Sequence, residues 1–554
     1  MRVRHGGEGR AGVRGAVVLL LLALGACVRS EPPAVTKVRH VPDPTTDAAR
    51  DNGVDATTDA PADSSQDGSA DTGTDARVVV DAPPDSPIAN RATCAYGRGA
   101  TAAATLGPDA VIGAANPIEH IIVVMQENRS FDSYLARLAD YEASIGIFNT
   151  IESASPTATN PSYPAGLPNA DGGVILDAAV FHHAPELCSF DTAHWWTPEH
   201  VNLDHGRNDG FYFTNANPSG PNTAGIAPSY LDGNRALAWY DQTDLPFYYT
   251  LYSTFAMADH YFADVLGPTY PNRMYLYAAT SFGVTDNFFP DLSAYPYPGP
   301  NPAVVFDELQ TSGASWALYA ETTPAAGIVL GVGLESRYGF YPTRTLAEFY
   351  GQAMEGTLPA VSFVDADFTS STVTTDDEHP PSEIELGQHF VWSIVNAITT
   401  SPSWSTSALF ITYDESGGLY DHVPPPAACV PDATSLIWDN ADDKATGGRF
   451  DRYGFRVPFV VVSPYAKRSY VSHTVFSHAS ITRFIEAKEG LLALSARDAN
   501  ADPFSDMFDW SDPPYLTPPT FPEPTVNASA VARCVAELNP CNDGGTRPGC
   551  PPRR

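Results

Sequence analysis

Residues 118–135 read IEHIIVVMQENRSFDSYL, and the reading of this stretch decides the fold. HIIVVM is short, rich in β-branched residues and almost wholly apolar, the composition of a strand covered on both faces in a parallel sheet. The run stops at Glu127 and Asn128. From Ser130 the spacing of Phe131, Tyr134, Leu135 and Leu138 becomes that of one helix face, with Ser130 as a natural helix start. Ligands of open α/β sheets sit beyond the carboxyl ends of the strands, which places Glu127 and Asn128 in the active crevice. For a single strand tip, a solvated turn is the plain alternative.

The plan recurs at 407–426, SALFITYDESGGLYDHVPPP. An apolar run over 408–413 ends on Asp414 and Glu415, followed by two glycines and then Asp421 and His422. Four oxygen-bearing side chains at two strand tips suit a hard divalent cation. A further centre is GPTYPNR at 267–273, where proline in a first helical turn predicts a helix running on over 274–282. Thr269 then lies at a helix amino terminus, whose free N–H groups attract a phosphoryl group. A threonine cap without chemistry is the alternative there.

Composition sets the frame. The chain has 554 residues, 43% of them hydrophobic, with 8 Trp, 26 Tyr and 27 Phe, enough for a large core. Its net charge is −34, and residues 92–554 carry most of it, with 21 Lys or Arg against 52 Asp or Glu. Such a surface repels nucleic acid and anionic membranes, so nucleic acid is not expected as a partner. The start of the chain has Arg2, Arg4, Arg10 and Arg14, an apolar run over 16–24, and then Leu24-Gly25-Ala26-Cys27, too short for a membrane span and of signal-peptide form. Leu-Gly-Ala-Cys resembles a bacterial lipobox, which implies export, cleavage before Cys27 and membrane attachment through a lipid on its thiol, at the outer membrane or cell surface. Six further cysteines, Cys94, Cys188, Cys429, Cys534, Cys541 and Cys550, allow three disulfides in 15 connectivities, and none has zinc-cluster spacing. Between these features Asp recurs at every fourth position from 43 to 75. On a helix that would stack like charges, so an extended tether is expected. The resulting organisation is a signal over 1–26, a tether over 27–92, a catalytic domain over 93–530 and a Cys- and Pro-rich tail over 531–554.

Further elements follow from pattern: helices over 245–255, 384–398 and 481–492, another helical stretch over 257–262, and buried strands over 358–364 and 456–464. The EHPP tetrapeptide at 378–381 falls on a loop, where functional residues are common.

ENRSFD at 127–132, GPTYPNR, EHPP and DESGGLYDHVPPP at 414–426, in this order and spacing, resemble the bacterial phosphoesterase family that holds non-haemolytic phospholipases C and an acid phosphatase branch. The resemblance implies an alkaline-phosphatase-like three-layer α/β sandwich with a largely parallel central sheet and helices on both faces. It also implies one divalent metal, Mg, Ca or Mn by the oxygen ligands and Zn as a further candidate, on Glu127, Asn128, Asp414, Glu415 and Thr269. Thr269 then attacks phosphorus and forms a phosphothreonine. The family's D-x-x-H element falls on Asp191 and His194. His194 and His379 are the candidates for stabilising phosphoryl charge, His379 or His422 for protonating the leaving alcohol, and Asp421 for orienting an imidazole. His478 resembles a family histidine near a helix start, with capping or packing as the alternative. The implied substrate is a phosphate ester, with phospholipids among the candidates. An acid phosphatase acting on monoesters is the alternative, favoured by the short stretch after the matched region, which leaves no room for the extension many of the phospholipases carry. A surface lipoprotein that binds without turnover is the reading from another class, and it would be marked by loss of a nucleophile or ligand.

Overall fold

The computed structural model describes residues 86–162, 178–216, 232–294, 301–331, 334, 337, 338, 343–367 and 372–538. The expected signal, Cys27, the tether up to residue 85, Cys541 and Cys550 lie outside them. Among the described residues eight strands form the main sheet: β1 (His120–Gln126), β2 (Ala256–Ala258), β3 (Trp316–Tyr319), β4 (Thr343–Arg344), β5 (Val361–Val364), β6 (Ser407–Tyr413), β7 (Phe459–Val462) and β8 (Tyr470–Ser472). Their spatial order is β8-β2-β7-β6-β1-β5-β3-β4. β7 is antiparallel to both neighbours, and every other pairing is parallel. The principal helices are α1 (Phe131–Leu135), α2 (Trp196–Leu203), α3 (Pro246–Thr254), α4 (Thr269–Ala278), α5 (Val305–Ser312), α6 (Leu346–Glu355), α7 (Ile384–Thr399), α8 (His478–Glu489) and α9 (Ala528–Leu538).

β1 lies between β6 and β5, and Val123 pairs with Phe410 on one side and Phe363 on the other, so these three side chains share a face. Tyr277 of α4 and Phe306 of α5 pack on Phe363, and Phe484 of α8 packs on Phe410. The opposite face carries Tyr319 and Tyr413, which meet Phe349 of α6 and Tyr134 of α1. Helices therefore cover both faces of a mostly parallel sheet, the expected three-layer sandwich. Coverage on both sides is the reason the strand sequences are apolar without alternation: every residue of β6 is buried.

Three expectations change. The stretch 257–262 is not helical but enters two strands, β2 and the short pair Tyr261–Phe262, because Ala256 and Met257 fill the slot between β7 and β8. α4 stops at Ala278 rather than 282, since Ala279 turns left-handed (φ 55°) and its N–H caps the Tyr275 carbonyl. The helix capped by Ser130 ends at Leu135, and a second one covers Leu138–Ser144. Disulfides join Cys94 to Cys429 and Cys188 to Cys534. The second ties α9, which crosses the expected boundary at 530, to the loop that precedes His194.

Candidate active site

Three adjacent parallel strands end in oxygen-bearing side chains: β6 in Asp414 and Glu415, β1 in Glu127 and Asn128, and β5 in Asp365. Gln126 is in register with Tyr413, so the first two pairs arrive level at one edge of the sheet. All five side chains are buried. α4 presents Thr269 and Arg273 to the same edge, one helical turn apart and hence on one face. Arg273 Nη2 lies 2.7 Å from Glu127 Oε1, Nε 3.4 Å from Asp414 Oδ2 and Nη1 3.8 Å from Asp365 Oδ1. Burial lowers the Arg273 pKa, but Glu127 and Asp414 outweigh it and hold the guanidinium charged, above its ordinary value. Thr269 Oγ1 lies 3.5 Å from Glu127 Oε2, at the long limit of a hydrogen bond. Of the helix-start N–H groups, that of Tyr270 is taken by Asn287 Oδ1 at 2.8 Å.

Asn128 adopts the left-handed conformation (φ 59°), which turns its N–H onto Asp414 Oδ1 at 3.1 Å. Its Nδ2 lies 3.3 Å from His194 Nε2. His194 Nδ1 is 2.7 Å from the Thr192 carbonyl. A carbonyl only accepts, so Nδ1 carries the proton and Nε2 offers its lone pair to the Asn128 amide. Among the described residues that orientation leaves Asn128 Oδ1 as a buried acceptor without a hydrogen-bond partner, and Glu415 Oε1 likewise has no hydrogen bond, its His194 Nε2 neighbour standing 4.0 Å away. Burial first, and the Asp414 charge second, push the carboxyls of Glu127 and Glu415 well above the usual range. Four buried carboxylates against one guanidinium, with two oxygens lacking hydrogen bonds, fit a divalent cation, which would supply both charge and partners there. After Glu415 the chain passes Gly417, whose N–H donates to Glu415 Oε2 at 2.6 Å; a Cβ there would lie 2.5 Å from the Asn128 carbonyl oxygen.

The EHPP loop reaches the same edge. Glu127 N–H donates to the Asp377 carbonyl at 2.9 Å, and the His379 and His194 rings stand 5.8 Å apart at 79°. One ligand atom each from Asp191, His194 and His379 lies within 4.8 Å of the others. Asp421 and His422 form a separate cluster with Asp132 and Arg456. The carboxylate on His422 Nδ1, at 2.6 Å, is Asp132 rather than the expected Asp421. Asp421 instead takes Arg456 Nε and Nη2 at 2.9 and 3.1 Å. His478 is fully buried, with Nε2 2.7 Å from the Asp414 carbonyl and Nδ1 3.1 Å from Tyr261 Oη, so it supports the β6 tip from behind. Sequence reading missed Arg273 and Asp365, although Arg273 is four residues after Thr269 and Asp365 directly follows the apolar run 358–364.

The sequence pattern of the Phosphoesterase family matches residues 118–492. Phospholipase C B of Mycobacterium tuberculosis (strain H37Rv) is 30% identical over 465 residues, covering 76% of this chain and 83% of the relative. Non-specific phospholipase C1 of Arabidopsis thaliana is 31% identical over 412 residues, covering 72% of each chain. Among solved structures, murine ectonucleotide pyrophosphatase / phosphodiesterase 5 aligns with a TM-score of 0.31 and 12% identity, over 48% of this chain and 95% of that one. The match spans the stretch from the β1 strand to the end of α8, with the acidic tips, the α4 amino terminus and the EHPP loop all inside it, and on that ground the chain belongs to the phosphoesterase family, the hydrolases of phosphoric esters.

Proposed function

We propose that the chain is an exported, metal-dependent phosphodiesterase of the phospholipase C type that works through a phosphothreonine at Thr269. The observation that carries this reading is the approach of Thr269 Oγ1 to Glu127 Oε2, 3.5 Å, at an acidic edge where Asn128 Oδ1 and Glu415 Oε1 have no hydrogen-bond partner among the described residues. Glu127, Asn128, Asp414, Glu415 and Thr269 would hold the cation, Mg, Ca or Mn by their oxygens and Zn if the histidines join, and when bound it lowers the pKa of the hydroxyl and offsets phosphoryl charge. Thr269 Oγ attacks phosphorus, and Glu127 Oε2 is the acceptor nearest its proton. The bond from phosphorus to the leaving alcohol breaks, and the alcohol departs with a proton from His379, while His194, engaged by the Thr192 carbonyl and the Asn128 amide, orients Asn128. Water then attacks the phosphothreonine, giving a proton back to His379 as the bond from phosphorus to Thr269 Oγ breaks, and Thr269 regains its proton from Glu127 as the phosphorylated remainder leaves.

A phospholipid is the substrate this reading favours, since relatives covering over two thirds of the chain are phospholipases C. Diacylglycerol is then the leaving alcohol and the phosphorylated head group the second product. Export and attachment through Cys27 are supported by the apolar run ending at Cys27 and by the pairing of four cysteines, which belongs to an oxidising compartment. Turnover of 4-nitrophenyl phosphorylcholine and 4-nitrophenyl phosphate tests the reading, with and without chelator, on wild type and Thr269→Ala. The phosphorylcholine ester is expected to be the better substrate, chelation to stop its turnover, and the variant to lose about a thousandfold or more. Preference for the monoester would place the chain in the acid phosphatase branch, equal turnover by the variant would remove Thr269 from the reaction, and turnover of neither ester would favour a binding lipoprotein.

A further inference from the structure

Glu378, which precedes His379, is fully buried, with its backbone in the left-handed region (φ 71°). Oε2 accepts from Tyr134 Oη at 2.6 Å and Tyr413 Oη at 2.8 Å. Oε1 accepts from Tyr248 Oη and, at 3.5 Å, from Gln126 Nε2. Tyr413 and Gln126 are the last residues of β6 and β1, the ones immediately before Asp414 and Glu127. Asp377, on the other side of Glu378, gives its carbonyl to the Glu127 N–H, and Arg129 Nη2 donates to the Glu378 carbonyl. One carboxylate thus binds the three chain segments that deliver both acidic pairs and His379. α7 closes on it at Gly387, where a Cβ would lie 2.6 Å from Glu378 Oε1.

A buried carboxylate is a poor way to gain stability, because an apolar group of like volume serves as well without the desolvation cost. What it supplies is direction: several donors converging on two oxygens admit one arrangement of their backbones. We propose that Glu378 is a positioning residue of this active site that acts through His379, holding the loop before His379 in register with the tips of β1 and β6. The inference rests on the catalytic reading of Thr269, His379 and the acidic pairs.

The test is a double-mutant cycle on the full chain with 4-nitrophenyl phosphorylcholine, using Glu378→Gln, His379→Ala and both together, with thermal melting of each. Glu378→Gln is expected to lower kcat about 10- to 100-fold with KM little changed, and the double variant to be no slower than His379→Ala by more than about threefold. A role confined to stability would leave the folded Glu378→Gln enzyme at the wild-type kcat, and an effect independent of His379 would multiply the two losses; either result overturns the inference. Should Glu378→Gln fail to fold, Tyr413→Phe and Tyr248→Phe each remove one donor with the ring retained, and the same non-multiplying pattern with His379→Ala is required of them. A fully active His379→Ala would instead overturn the catalytic reading, and this inference with it, whereas an impaired His379→Ala beside a wild-type Glu378→Gln removes the inference alone.

Discussion

Arg273 carries more of the site's charge balance than any other cation near it. Replacing it by Met leaves Glu127, Asp414 and Asp365 facing one another in a buried edge without their counter-charge. With chelator present, Arg273→Met is expected to cost about 3–5 kcal/mol by thermal or urea unfolding, and Arg273→Lys to recover part of it. His422 invites a pH experiment. Burial lowers its pKa, but the hydrogen bond and charge of Asp132 outweigh burial and leave it above the ordinary value. Asp132 is held below its own ordinary value, Arg456 and His422 outweighing burial there. A raised histidine stabilises the fold fully below its unfolded pKa, about 6.5, and loses that contribution as pH rises through the folded value. The melting difference between wild type and His422→Gln should therefore be larger at about pH 5.5 than above about pH 8; a difference independent of pH would show that the pair is not ionic. These residues also mark where sequence reading stops. Glu127 and Asp414 were legible because each ends an apolar run, whereas the partner of His422 is 290 residues away in the chain and nothing local distinguishes Asp132 from Asp421.

At the scale of elements, the strands were legible where composition had no competitor. HIIVVM and ALFITY are too short and too β-branched for anything but buried strands, and 384–398 shows a sustained helical period that α7 follows. AMADHYF misled because a three-residue strand has no period of its own, and its conformation is set by β7 and β8, which come some two hundred residues later. The reversed direction of β7 likewise has no local signature. The turn leaving β6 is an element whose geometry can be challenged directly. Gly417 has φ 66°, and an added methyl would meet the Asn128 carbonyl, so Gly417→Ala must shift either the β1 tip or its own loop. Loss of phosphoester turnover is expected, together with a melting point lowered by several degrees, since a left-handed position adds strain of about 1 kcal/mol to the collision. Unchanged turnover would mean that the loop yields without moving Asn128.

Across the whole molecule, two covalent ties span 335 and 346 residues of sequence. Six cysteines were visible in the sequence but their pairing was not, because the choice among connectivities depends on which loops meet in three dimensions. Cys94→Ser/Cys429→Ser and Cys188→Ser/Cys534→Ser are each expected to lose about 2–5 kcal/mol in unfolding measurements, the usual cost of releasing a long closed loop. A double variant as stable as wild type would show that the packed core already supplies the constraint.

The second tie has an order in time as well as a place in space. Cys188 stands just ahead of Asp191 and His194, and His194 is what turns the Asn128 amide; Cys534 belongs to α9, the last element described. A ribosome makes these two ends of the bond 346 residues apart, so the histidine loop waits for a clasp that arrives only once α9 has been made.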